Sequence, residues 1–123
     1  MASPNIVGVT TILGITTAAQ LTTSPVSILS NAASSGKVFK INTILAANET
    51  AATASVTVRY NNNAAGAGTT FALANGIDIS AKSSLVVLDK ASSIYLEENR
   101  SITALSGTAS AVNIIISYEQ ISS

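Results

Sequence analysis

The sequence contains no cysteine, no histidine and no tryptophan. Without cysteine, a disulfide framework, a thiolate nucleophile and a cysteine metal site are excluded. Without histidine, the commonest general base and metal ligand are missing as well. Aromatic residues make up 4% of the chain and charged residues 10%, against a usual charged share of about a quarter. Ala, Val, Ile and Leu must therefore fill the core, and Ser, Thr, Asn and Ala must supply most of the surface. No apolar run approaches the roughly 18 residues of a membrane-spanning helix, and the start lacks the charged and apolar regions of a signal peptide. The expectation is a protein that crosses no membrane by its own signal and has no membrane partner.

Six basic residues balance six acidic ones. Neutralising many phosphates needs a basic face, so no nucleic-acid partner is expected. Zero net charge with a mean hydropathy of +0.46 suits a surface partly covered by copies of the chain or by a partner. The 123 residues suffice for one domain with one core.

What the chain does contain is β-branched residues in short runs. Leu85–Leu88, Ile94–Leu96 and Val112–Tyr118 are each too short for a typical helix and read as strands. Ala52–Tyr60 alternates: Ala54, Val56, Val58 and Tyr60 point one way, Ser55, Thr57 and Arg59 the other. In Lys37–Ala47 the alternation places Phe39, Ile41, Thr43 and Leu45 on one face. Asn75-Gly76 is the strongest two-residue turn signal and predicts a break between strands at Thr70–Ala74 and Ile77–Ile79. Turn signals recur about every 8–12 residues, as in a sandwich or barrel. The expected fold is an all-β antiparallel sandwich, jelly-roll or immunoglobulin-like. Residues 1–16 are expected to form an N-terminal arm or edge strand, and residues 17–123 the sandwich domain. Ile6, Val7, Val9, Ile12, Leu13 and Ile15 are the candidate contacts with other subunits.

The chemical inventory is thin. Lys82 lies beside Ser83 and Ser84, but serine is so frequent that adjacency says little. Glu97-Glu98 reads as a solvated charged turn, since neighbouring residues of an extended segment point apart. Asp78, Asp89 and Glu97 lack the ligand spacing of a calcium loop. Asn48-Glu49-Thr50 and Asn99-Arg100-Ser101 match the glycosylation sequon, which predicts exposed turns at both asparagines. No catalytic residue, metal site or cofactor is expected, and no enzymatic activity.

Five stretches, Ser3–Ile12, Ser34–Asn42, Ser83–Lys90, Ile94–Ile102 and Ser117–Ile121, resemble small structural proteins of tailed bacteriophage virions, of the type found in T4-like marine cyanophages. Where such proteins often carry Gly-Asp after the acidic turn, this chain has Asn99-Arg100. The resemblance covers most of the chain. It implies a non-enzymatic virion protein, first a capsid decoration (cement) protein, second a neck, tail or fibre-attachment protein. It also implies a homo-oligomer, with a trimer as the guess, and the major capsid protein or other virion proteins as partners. The protein would be made in the bacterial host cytoplasm. A glycan-binding sandwich is the alternative from another class; it would need exposed aromatics, and the chain has only three tyrosines and two phenylalanines.

Overall fold

The computed structural model describes residues 7–65 and 68–122. Among the described residues nine strands follow one another: β1 (Thr11–Gln20), β2 (Val26–Asn31), β3 (Lys37–Asn48), β4 (Ala54–Asn61), β5 (Thr70–Ile79), β6 (Ser84–Leu88), β7 (Ile94–Leu96), β8 (Arg100–Ser106) and β9 (Val112–Ser122). A 3-10 turn, Lys90–Ser92, lies between β6 and β7. One sheet has the order β1-β9-β3-β6, with β7 also pairing β3. The other has the order β2-β8-β4-β5. All pairings are antiparallel.

This is a β-sandwich, and the strand order is that of a jelly roll rather than an immunoglobulin domain. Only β4–β5 and β6–β7 follow each other within one sheet. The connections from β1 to β2, β2 to β3, β3 to β4, β5 to β6, β7 to β8 and β8 to β9 all cross between sheets. Such nested crossings are the Greek keys of a jelly roll.

The core lies between the sheets and is aliphatic, as the composition requires. Its large, fully enclosed members are Leu21, Ile41, Ile44, Val56, Val58, Leu96, Ile102, Val112, Ile114 and Ile116. Each stabilises the fold by about 1.5–3 kcal/mol through burial. Phe39 and Tyr118 add a tilted ring contact with centroids 5.1 Å apart. Burial raises the Tyr118 phenol above its ordinary 10.0, because the ionised form loses more solvation on burial.

Two expectations fail for one physical reason, the β-bulge. In β3 the register steps from Ile41 opposite Tyr118 to Thr43 opposite Ser117, so Asn42 is an extra residue. The inward positions are then Phe39 and Ile41 before the bulge, but Ile44 and Ala46 after it. Thr43 and Leu45 therefore do not share the face of Phe39. In β5, Asn75-Gly76 is not a hairpin turn, and the strand runs through it without a break. Ala74 pairs Val58 and Ile77 pairs Val56, so Asn75 and Gly76 together oppose Thr57. Gly76 takes φ +61, which glycine adopts without steric cost. Its N–H donates to Thr57 Oγ1 at 3.0 Å.

Three buried asparagines close the strand ends. Asn48 Nδ2 donates to the carbonyls of Ala52 at 2.7 Å and Ile79 at 3.0 Å, and its Oδ1 accepts from Thr50 N at 3.0 Å. Asn48 is thus enclosed, not a displayed sequon in an exposed turn. Asn31 Nδ2 donates to the carbonyls of Lys37 and Leu96, and Asn61 Nδ2 donates to Thr103 Oγ1.

Candidate assembly surface

The outer strands decide what this sandwich can do with a neighbour, because a sheet edge presents unpaired N–H and C=O groups to any strand that approaches. Among the described residues the two sheets have four edges, and three carry devices that hinder pairing. β2 is six residues long with a register shift between Ser27 and Leu29. The β6/β7 edge is split by the 3-10 turn, and β6 has a shift of its own opposite Ile44–Leu45. β5 is ten residues long but carries two register shifts and Asp78.

β1 carries none of these devices. Its ten residues pair β9 in unbroken register, from Thr11 opposite Ser122 to Gln20 opposite Asn113. It contains no charged residue and no proline. Gly14 introduces no positive φ, and nothing lies within 4 Å of where its Cβ would be. β-branched residues at Thr11, Ile12, Ile15, Thr16 and Thr17 hold the strand extended.

The six candidate contact residues are distributed as follows. Ile6 lies outside the described residues. Val7 is exposed and Val9 half-buried in the segment leading into β1. Ile12 and Leu13 are exposed on opposite faces of β1. Ile15 packs against the core, so it is a support of the sandwich more than a surface contact. The arm-or-edge alternative for residues 1–16 takes the edge form from Thr11 onward, and β1 runs past residue 16 to Gln20.

Other exposed apolar groups escaped the sequence reading. The outward face of the β1-β9-β3-β6 sheet carries a row Ala18, Ile115, Leu45 and Val86, each the register neighbour of the next. Val86 is 58% and Ile115 36% exposed. Two rows along, Glu119 on β9 pairs Lys40 on β3, and Tyr95 on β7 continues the row. Asn42 Nδ2 donates to Glu119 Oε2 at 3.0 Å. A second row, Ile12, Ile121 and Val38, has the same outward parity, but only Ile12 is exposed. The Leu45 row was hidden because the Asn42 bulge reverses which β3 residues face out beyond it. On β5, Phe71, Leu73 and Ile77 are exposed at the rim.

The polar candidates take structural positions. An open depression of about 510 Å³ is lined by Ala47, Asn48, Glu49, Lys82, Ser83 and Ser84. There Lys82 Nζ donates to the Glu49 carbonyl at 2.9 Å and Ser83 Oγ to the Ala81 carbonyl at 3.3 Å. Both groups are thus directed at backbone, not at each other. Glu97 is exposed, but Glu98 is buried, which corrects its reading as part of a solvated turn. Glu98 Oε2 accepts from Gly36 N at 2.6 Å and anchors the β2–β3 loop. Asp89 caps the 3-10 turn by accepting from Ser92 N, while Asp78 sits on β5. Among the described residues no three acidic side chains gather as a metal site would need.

No protein-family model matches the chain, and no curated protein matches it. In structure it is similar to a chain solved in work on Bacillus endospore appendages, described as a novel family of disulfide-linked pili. The identity is 16%, the TM-score 0.53, and the match covers 92% of this chain and 88% of that one. It also aligns with a chain of infectious bursal disease virus strain Gx, at 9% identity and TM-score 0.37, over 91% of this chain and 42% of that one. The second likeness is too loose to carry an argument; the first shows a common fold, the jelly-roll sandwich.

Proposed function

We propose that the chain is a non-enzymatic structural subunit of a tailed-phage virion, and that it acts as a capsid decoration protein. The observation that carries the structural role is β1: a ten-residue edge strand in unbroken register, without charge, proline or bulge. Natural sheets blunt such edges unless another chain covers them. Strand addition supplies main-chain hydrogen bonds, and alternate side chains such as Ile12 and Leu13 supply selectivity. The virion assignment rests on the sequence stretches named above. A subunit that binds only the assembled shell shifts assembly by mass action, so each bound copy stabilises the lattice. The partners under this reading are further copies of the chain, a trimer being the working number, and the major capsid protein.

A second reading, a subunit of a pilus-like filament, is favoured by the fold shared with the endospore-appendage protein. The chain carries no cysteine, so it could not be joined to its neighbours by disulfides as those pili are; its contacts would be non-covalent. Quantitative mass spectrometry of purified particles separates the possibilities. A copy number approaching that of the major capsid protein is expected for decoration. A few to a few dozen copies would move the chain to the neck, tail or fibre. Its absence from particles would overturn the virion reading.

A further inference from the structure

We infer that the outward face of the β1-β9-β3-β6 sheet is a two-fold interface between two copies of this chain. The inference goes beyond the β1 edge contact, does not depend on it, and makes the free chain a dimer where the virion reading takes a trimer as its working number. The evidence is the self-complementary order of outward residues on the two central strands. In three of the four open rows they are Glu119, Ser117 and Ile115 on β9, with register partners Lys40, Thr43 and Leu45 on β3; Asn113–Ala47 is the fourth, and the Ile121–Val38 row beyond Glu119 is buried. Each of the first three cross-strand pairs therefore matches in kind: an acid beside a base, two hydroxyls, two aliphatic side chains.

A two-fold axis running along the strands between β9 and β3 lays β9 of one copy over β3 of the other. Register partners lie at the same height along the strands. The operation therefore sets Glu119 over Lys40 of the second copy and Lys40 over its Glu119. It also sets Ser117 over Thr43 and Ile115 over Leu45. A two-fold interface requires a surface complementary to itself, and this charge order satisfies that condition twice per dimer. Asn42 Nδ2 holds Glu119 Oε2 at 3.0 Å, which fixes the carboxylate on this face. Ala18 and Val86 extend the apolar row on either side.

The dimensions are adequate. Four strands about 4.8 Å apart and four open outward rows about 6.8 Å apart give a face of roughly 19 by 27 Å. That is about 500 Å² per copy and about 1,000 Å² for the pair, the lower end of specific interfaces. The dimer should be weak and concentration-dependent.

A charge-exchange experiment tests this. Sedimentation velocity over a concentration series should show the unmodified chain dimerising. Lys40→Glu and Glu119→Lys each bring like charges together twice, and each alone should weaken dimerisation at least about tenfold. Mixed in equal amounts, the two variants should dimerise again to within about threefold of the unmodified chain, because every facing pair is then opposite in sign. Lys90→Glu mixed with Glu97→Lys carries the same net charges on exposed residues elsewhere and should gain no such recovery. Ile115→Lys, at an outward site that leaves the core untouched, should abolish the dimer in either background. A chain that stays monomeric throughout, single variants that dimerise normally, or a control mixture that associates as strongly as the test mixture would each overturn the inference. Failure of the β1 contact reads out separately: Leu13 lies on the opposite face of β1, so Leu13→Lys should leave this dimer intact.

Discussion

β1 and β5 are both ten-residue edge strands, one in each sheet. β1 keeps one register with β9 along its whole length, while β5 shifts twice against β4. β1 has no charge, whereas β5 carries Asp78 and exposes Phe71, Leu73 and Ile77. By side chains alone β5 is the stickier strand, yet its bulges twist and interrupt the hydrogen-bonding groups that another strand would need. β1 offers those groups in an even row. In this sandwich main-chain regularity, not apolar exposure, marks the edge suited to strand addition.

The largest expected effect comes from giving β1 the protection it lacks. Leu13 is half-exposed and outside the core cluster, so Leu13→Lys should leave the fold intact. Under the proposed virion role it should weaken attachment to particles at least about tenfold, because a lysine on an edge strand opposes pairing. Binding of purified variant to particles stripped of the protein checks this. Unchanged attachment would break the distinction between the two edges.

The glycines of the two strands sharpen it next. Gly76 in β5 holds φ +61 with open space around it, so Gly76→Val meets backbone strain alone. It should cost about 2 kcal/mol in chemical denaturation. Gly14 in β1 has equally open space and no positive φ. Gly14→Val should instead stabilise by about 0.5–1 kcal/mol, since glycine is a poor strand residue. Equal effects at the two sites would mean that β1 is not the regular strand described.

The smallest effect concerns pH. Tyr118 pairs Ile15 of β1 and its phenol is raised above 10.0 by burial. The folded state therefore holds its proton more tightly than the unfolded state. That contribution is complete below about pH 10 and declines as pH rises through the folded value. Denaturation measured between pH 8 and 11 should show the decline, and Tyr118→Phe should flatten it.

Much of this fold was legible in sequence. The alternation of Val112, Ile114, Ile116 and Tyr118 places β9 correctly, and Ala54, Val56 and Val58 do the same for β4. The failures share a cause: a bulge changes which residues face inward without altering local composition. Asn42 displaced Thr43 and Leu45 to the outer face, and Asn75-Gly76 kept its turn chemistry inside a continuous strand. Asn48 and Glu98 looked exposed because polar residues usually are. Their burial depends on carbonyls and N–H groups from distant segments, Ile79 for one and Gly36 for the other, which a local pattern cannot reveal. Ile12 and Leu13 were legible as apolar surface; that they lie on the edge left unprotected among the described residues required the register of all four edges.

The most direct test of the central claim is amide hydrogen exchange of β1 and β5 in the free chain and in the chain bound to particles. Main-chain pairing on β1 predicts slowed exchange across Thr11–Gln20 on binding, with Thr70–Ile79 unchanged. Slowed exchange at Thr70–Ile79 with β1 unaffected would contradict the claim that the regular edge, and not the apolar one, makes the contact.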